Sequence, residues 1–133
     1  MANKALLVGI NKYPDGPLKG CVNDVEDMAK VLVSSFGFKE EEIYLLVDAR
    51  ATTKAIKNAL NNWLCKDAKP GDRLFFHFSG HGVQVPTFNG LSEPDGKDEA
   101  ICPVDFNWHE SNMIIDKEFN KIFSILPNEA AFV

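Results

Sequence analysis

The residues best suited to chemistry fall in Ser79-Gly80-His81-Gly82, where a histidine sits between glycines directly after the apolar run Arg73-Leu74-Phe75-Phe76-His77-Phe78. A neutral imidazole titrates near neutrality, so it can take up a proton or give one back. Glycine on either side lets backbone and substrate approach closely. His81 therefore reads as a general acid/base, with a histidine that only hydrogen-bonds its loop as the competing reading. Two further stretches belong beside it: Gly20-Cys21-Val22-Asn23-Asp24-Val25, and an acidic series of Glu93, Asp95, Asp98, Glu99 and Asp105 opposed only by Lys97. His77 lies mid-strand between Phe76 and Phe78 and reads as a packing residue; His109, in a polar stretch, reads as surface.

These residues need elements to position them. Ala5 to Ile10 is a continuous apolar run, the mark of a strand covered on both faces. It ends in Asn11-Lys12-Tyr13-Pro14-Asp15-Gly16-Pro17, a loop dense in turn formers. Val22, Val25, Ala29, Leu32 and Phe36 recur at helical steps and predict an amphipathic helix that stops at Gly37, with Asp24, Glu26 and Asp27 complementing the dipole of its first turns. Ile43 to Val47 predicts a second strand. Thr52 or Thr53 caps a helix carrying Ile56, Ala59, Leu60, Trp63 and Leu64, and Pro70-Gly71-Asp72 turns the chain into the His81 strand. Gly82 to Glu99 reads as a long loop, followed by brief pairing at Ala100-Ile101-Cys102. Asp116 is expected to cap a third helix with Phe119, Ile122, Phe123 and Leu126 inward, and a fourth strand begins near Ala130. The alternation predicts an α/β fold: a mostly parallel sheet with helices on both faces, incomplete at the C-terminal end. The His-bearing strand end spans 73–82 and the acidic loop 83–105, within one partial domain region over 1–133.

Bulk properties narrow the function. With 45% hydrophobic and 25% charged residues, the 133-residue chain is expected to fold as one globular domain. A net charge of -5 argues against nucleic acid and gives no support for anionic membranes. No apolar stretch approaches the length of a membrane span, and Ala5 to Ile10 is too short for a signal peptide. Three cysteines, an odd number without paired motifs, fit a reducing compartment better than a disulfide scaffold, so a cytoplasmic location is expected.

Taken together, Ala5-Leu6-Leu7-Val8-Gly9-Ile10-Asn11, Gly-Cys-Val-Asn-Asp-Val at 20–25, Ser-Gly-His-Gly at 79–82 and Asp95-Gly96-Lys97-Asp98-Glu99-Ala100-Ile101 resemble the metacaspases, caspase-like cysteine peptidases. The resemblance covers nearly the whole chain and implies a caspase-like three-layer sandwich. It implies His81 as catalytic histidine and the Gly82 amide as part of an oxyanion hole. It also implies that Cys21, Asp24 and Ser79 line the pocket for the residue before the cut bond. A carboxylate there favours Arg or Lys through charge-assisted hydrogen bonds, so a protein or peptide substrate cut after a basic residue is expected. The bland alternatives are a dipole-serving Asp24 and a small buried Cys21.

The resemblance further implies calcium, which takes about six to eight oxygen ligands, with Asp95 and Asp116 at ligand positions and Lys117 where a second Asp often follows. A solvated acidic loop is the other reading. The family's nucleophile is a Cys in an Asp-Ser-Cys-His-Ser-Gly segment, which none of Cys21, Cys65 and Cys102 matches. The nucleophile is therefore expected beyond residue 133, from a following small-subunit segment or a second chain that completes the sheet, and this chain alone is expected to be inactive. A different class of function is a catalytically inactive caspase-homology module, acting by protein–protein interaction or self-association. A flavodoxin-like binding domain is disfavoured, because Asn11-Lys12-Tyr13-Pro14 makes a poor phosphate cradle.

Overall fold

The computed structural model of the chain describes residues 2–86, 97–126 and 131–132. In chain order these form β1 (Asn3–Gly9), α1 (Cys21–Phe36), β2 (Ile43–Val47), α2 (Thr53–Ala59), β3 (Arg73–Ser79), β4 (Gly82–Pro86), β5 (Lys97–Ile101), β6 (Ile114–Ile115), α3 (Asp116–Phe123) and β7 (Ala131–Phe132). A π-helical turn, Leu60–Leu64, extends α2.

The parallel sheet has the order β2-β1-β3-β7. β1 sits inside it, with Gly9 opposite Val47 of β2 on one side and Ser79 of β3 on the other. Side chains along a strand alternate between faces, and this alternation divides the core in two. Ala5 and Leu7 of β1 pack with Phe75 of β3 against Val25, Met28, Ala29 and Leu32 of α1. Leu6, Val8 and Leu74, with Phe76 and Phe78, face Ile56, Ala59, Leu60 and Leu64, joined by Phe119, Ile122 and Phe123 of α3. Helices thus cover both faces, which is why β1 reads as an unbroken apolar run: Ala5 to Val8 are fully buried. Each buried Leu or Val side chain contributes about 1.5–3 kcal/mol relative to exposure.

The helix boundaries follow local chemistry. Thr52 caps α2, its hydroxyl accepting from Ala55 N at 3.2 Å. Gly37 ends α1 in the left-handed region at φ 75°, its N–H returning to Leu32 O.

Three expectations need correction. The stretch after His81 is not simply a loop: β4 and β5 pair antiparallel, β5 pairs with β6, and together they form a second, three-stranded sheet. Asp116 does not cap α3; Ile115 holds the cap position in extended conformation, and Asp116 is the first helical residue, its carboxylate at the dipole's positive end. Phe36 is not part of the inward face of α1. It is 53% exposed, because the helix ends there and Phe38, beyond the Gly37 turn, takes the buried place.

Candidate active site

The order β2-β1-β3 places a topological switch between β1 and β3, since the chain leaves β1 for one neighbour and later returns to the other. Open α/β sheets bind ligands in the crevice at such a switch, beyond the carboxyl ends of the strands. Asn11, Ser79 and His81 all lie at or just past those ends. At Gly9, where the strands' ends meet α1, an added Cβ would stand 2.8 Å from Cys21 O and 2.9 Å from Val25 Cγ2. The absence of a side chain there lets the start of α1 sit directly on the sheet.

Asn11 does work that its reading as a turn former does not anticipate. Its Oδ1 accepts from Cys21 N at 2.9 Å and Val22 N at 3.3 Å, capping α1 from outside, because Gly20 (φ 92°) supplies no side-chain cap. Asp48, itself at φ 48°, accepts from both Asn11 N and Lys12 N, which fixes the start of the loop.

That loop grips His81. The backbone N–H of His81 donates to the Tyr13 hydroxyl at 3.0 Å, and that hydroxyl donates to Cys102 O at 2.7 Å. The Tyr13 and His81 rings lie 4.6 Å apart, tilted by 50°. Burial pushes the Tyr13 phenol up to about 12 against a smaller opposite pull from the His81 amide, so it stays protonated and keeps its donor. Gly80 is glycine for steric reasons: a Cβ there would collide with the Tyr13 hydroxyl and the Phe78 ring. The imidazole Nε2 lies 2.6 Å from Gly16 O. A carbonyl only accepts, so Nε2 is the N–H donor, and in the neutral ring Nδ1 keeps the lone pair. The loop thus fixes both the orientation and the tautomer of His81.

Gly82 opens β4. Cys102 N donates to His81 O at 3.0 Å, and Gly82 stands opposite Ile101, so this antiparallel pair is of the type that exchanges no hydrogen bonds. The Gly82 N–H consequently points away from β5, and among the described residues β4 is an edge strand of its sheet. A Cβ at Gly82 would meet only Ala100 O at 3.5 Å, so packing does not demand glycine there. His81 and Gly82 line a cleft of about 510 Å³ with Tyr13, Gly16, Cys102 and Phe106. Trp108, 64% exposed and at φ 69°, lies at the same cleft with its ring edge-on to Phe106.

Ser79 and Asp24 come together: the Ser79 hydroxyl donates to Asp24 Oδ2 at 2.9 Å. Asp24 is exposed in the first turn of α1. Cys21, three residues before Asp24 at the start of α1, is buried. All three cysteines are free and buried; burial pushes the Cys102 thiol up to about 11 and raises that of Cys65 against a partial pull from Lys4. Activated thiols are those whose pKa falls, so neither Cys65 nor Cys102 has the character of a nucleophile. His77 faces the α1 side of the sheet beside Phe75, and its Nε2 is buried without a hydrogen-bond partner among the described residues. His109 is exposed and bonded to Ser111.

The acidic series is dispersed. Glu93 and Asp95 lie outside the described residues. Asp105 accepts from Thr53 N and Oγ1, anchoring the segment after β5 to the start of α2. Asp98 is buried in β5 and ion-paired with Lys117 at 2.8 Å. Asp116 Oδ1 is buried without a hydrogen-bond donor among the described residues. Among those residues no group of three or more His, Cys, Asp or Glu side chains is placed to hold a metal ion, so they do not fit a calcium site by themselves. No helix is long and apolar enough among them to cross a membrane.

The fold agrees with comparisons to known proteins. A crystal structure of protein GSU0716 from Geobacter sulfurreducens superposes with a TM-score of 0.79 at 28% identity, over 99% of this chain and 48% of that one. Metacaspase-1A of Aspergillus oryzae is 46% identical over 125 residues, which is 90% of this chain and 29% of that protein. Metacaspase-1 of Ajellomyces capsulatus is 44% identical over 132 residues, 93% of this chain and 36% of the relative. The chain thus spans about a third of the length of these curated relatives. The family described as "Metacaspase, peptidase C14 domain" matches residues 3–133, and with its caspase-like sandwich and the histidine at the switch point of its sheet, the chain belongs to the metacaspases.

Proposed function

We propose that this chain is the histidine-bearing part of a cysteine endopeptidase that cuts protein or peptide substrates after Arg or Lys. The observation that carries the reading is the grip on His81. With Nε2–H spent on Gly16 O, Nδ1 is the free basic atom, held at the end of β3 and able to take a thiol proton and return it to the leaving amine. The outward-pointing Gly82 N–H serves as a donor to the oxyanion that develops on the scissile carbonyl. Asp24, steadied by Ser79, supplies the carboxylate that pairs with the guanidinium or ammonium of the substrate, and Cys21 forms the small wall behind it.

The attacking sulfur comes from residues beyond 133. β7 pairs with β3 in parallel, Ala131 opposite Arg73 and Phe132 opposite Leu74. Continuing that register lays the following residues along Phe75 to Ser79 and reaches the level of Ser79 about five residues beyond Phe132. A cysteine delivered there stands beside the His81 turn, and without it residues 1–133 are inert. The free, buried cysteines support a reducing, cytoplasmic setting.

The test is to assay the full-length protein on reporter peptides ending in Arg, Lys or Asp. Cleavage of the Arg and Lys peptides is expected, abolished by His81→Ala and lowered at least tenfold in kcat/KM by Asp24→Asn. Activity that survives His81→Ala removes the role given to His81; preference for the Asp peptide removes the role given to Asp24.

A second reading, an inactive caspase-homology module that associates with itself or a partner, is favoured by one observation. Val33 and Phe36 of α1 and Tyr44 and Leu45 of β2 expose apolar surface beside the β2 edge. Analytical ultracentrifugation separates the two: a strictly monomeric protein argues against self-association.

A further inference from the structure

The buried carboxylate of Asp98 poses an electrostatic problem of its own, separate from the cleavage chemistry. Asp98 is 1% exposed. An ionised carboxylate at that depth is tolerated only with a compensating cation close by. Two sources of positive charge are conceivable in an acidic stretch of this kind: a bound metal ion, or a basic side chain of the protein itself. The structure supplies the second, since Lys117 Nζ lies 2.8 Å from Asp98 Oδ1, its side chain only 25% exposed. Lys117 follows Asp116 at the start of α3, which packs against β5, and Asp116 Oδ1 is a further buried acceptor with no hydrogen-bond donor among the described residues.

We propose that the Lys117 ammonium is the resident counter-cation of this carboxylate layer and replaces a divalent cation there. A calcium ion needs about six to eight oxygen ligands. Here it would meet Asp98 Oδ1 already in contact with the Lys117 ammonium, and a positive charge beside the two buried oxygens that lack a hydrogen-bond donor among the described residues, Asp98 Oδ2 and Asp116 Oδ1. The ion pair has a positional consequence. Asp98 lies opposite Val85 of β4, and β4 begins at Gly82; Ala100 and Ile101 of the same β5 pair with β6, which runs straight into α3. Lys117 therefore locks α3 onto the strand that backs the cleft wall, and does so independently of metal supply.

The experiment reads thermal stability in the full-length protein, so it stands or falls separately from the peptidase reading. Wild type is melted with about 10 mM calcium and with a chelator, alongside Lys117→Met, Lys117→Asp and the double variant Lys117→Met with Asp98→Asn. The wild-type Tm is expected to be the same in both conditions. Lys117→Met is expected to lose roughly 10 °C, because it strands a buried charge, and the double variant to regain much of that loss. Lys117→Asp is expected to melt low in chelator and to recover with calcium. A wild-type Tm that rises with calcium overturns the proposal even if the variants fail to fold. So does a Lys117→Met protein as stable as wild type, or a Lys117→Asp protein that gains nothing from calcium.

Discussion

At the scale of single residues, the site depends on Tyr13 as much as on His81. The phenol accepts the His81 N–H and donates to Cys102 O, so one hydroxyl satisfies a backbone donor and a backbone acceptor at the base of the cleft. Tyr13→Phe keeps the ring and removes both bonds. The expected cost is about 1–3 kcal/mol in urea unfolding, from stranded backbone groups, and at least a tenfold fall in kcat with a smaller change in KM, because the imidazole loses its fixed height above the cleft. Unchanged kcat in a correctly folded variant removes Tyr13 from the positioning machinery. Tyr13 shows where sequence legibility stops. His81, Gly82, Ser79 and Asp24 stood in short recognisable patterns, and the structure brings Ser79 onto Asp24. Tyr13 is 68 residues from His81 in the chain and sits among turn formers. Its role arises only when β1 and β3 lie side by side, and no local pattern encodes that. An aromatic residue within a loop full of Pro, Asp and Gly was the one available signal.

At the scale of elements, the parallel strands were legible, and of the antiparallel ones only the brief pairing at Ala100 and Ile101 was. β1 and β3 are long apolar runs whose alternate side chains meet two different helical layers, so periodicity and burial agree. β4 and β5 are short, and the acidic residues around β5 read as a loop. Val83-Gln84-Val85 does alternate in the manner of a half-buried strand, with Val85 buried, but its partner lies across a separation that sequence pattern does not bridge. The seat of α1 on β1 gives a direct check. In Gly9→Ala the new methyl group would stand against Cys21 O, a backbone atom unable to move without shifting the helix start. Destabilisation of about 1–3 kcal/mol is expected from overpacking, with loss of activity exceeding the loss of folded protein, because Cys21 and Asp24 move with the helix. Equal stability of Gly9→Ala and wild type in chemical denaturation contradicts this account of the contact.

At the scale of the whole molecule, the amino end and the entry to β3 are tied together by Asp72. Its carboxylate accepts from Ala2 N at 2.8 Å and Lys69 N at 2.9 Å, and these donors hold its pKa below the ordinary 3.8. A depressed carboxylate pKa contributes stability that is complete above the unfolded value and vanishes as pH falls through the folded one. Asp72→Ala is therefore expected to lower stability by about 1–3 kcal/mol near neutral pH, with the difference from wild type shrinking well below pH 3.8; a difference independent of pH rejects the assignment. The overall architecture was readable from the alternation of elements, because a βαβ series admits few packings. The division of the acidic residues among Thr53, Lys117 and regions outside the described residues was not, since composition gives the sign of a charge and not its neighbour.

The position of β7 at the rim of the sheet also has a meaning in time. β1, β2 and β3, with the helices between them, are complete by Ser79. A chain emerging from the ribosome presents this part first, because synthesis runs from the amino end. β7 is added afterwards by simple docking at an edge, without reopening what is already packed. In the peptidase reading the proton-accepting half of the site then exists before the sulfur arrives, so a newly made chain stays harmless to its own synthesis machinery until the strand that carries the sulfur docks.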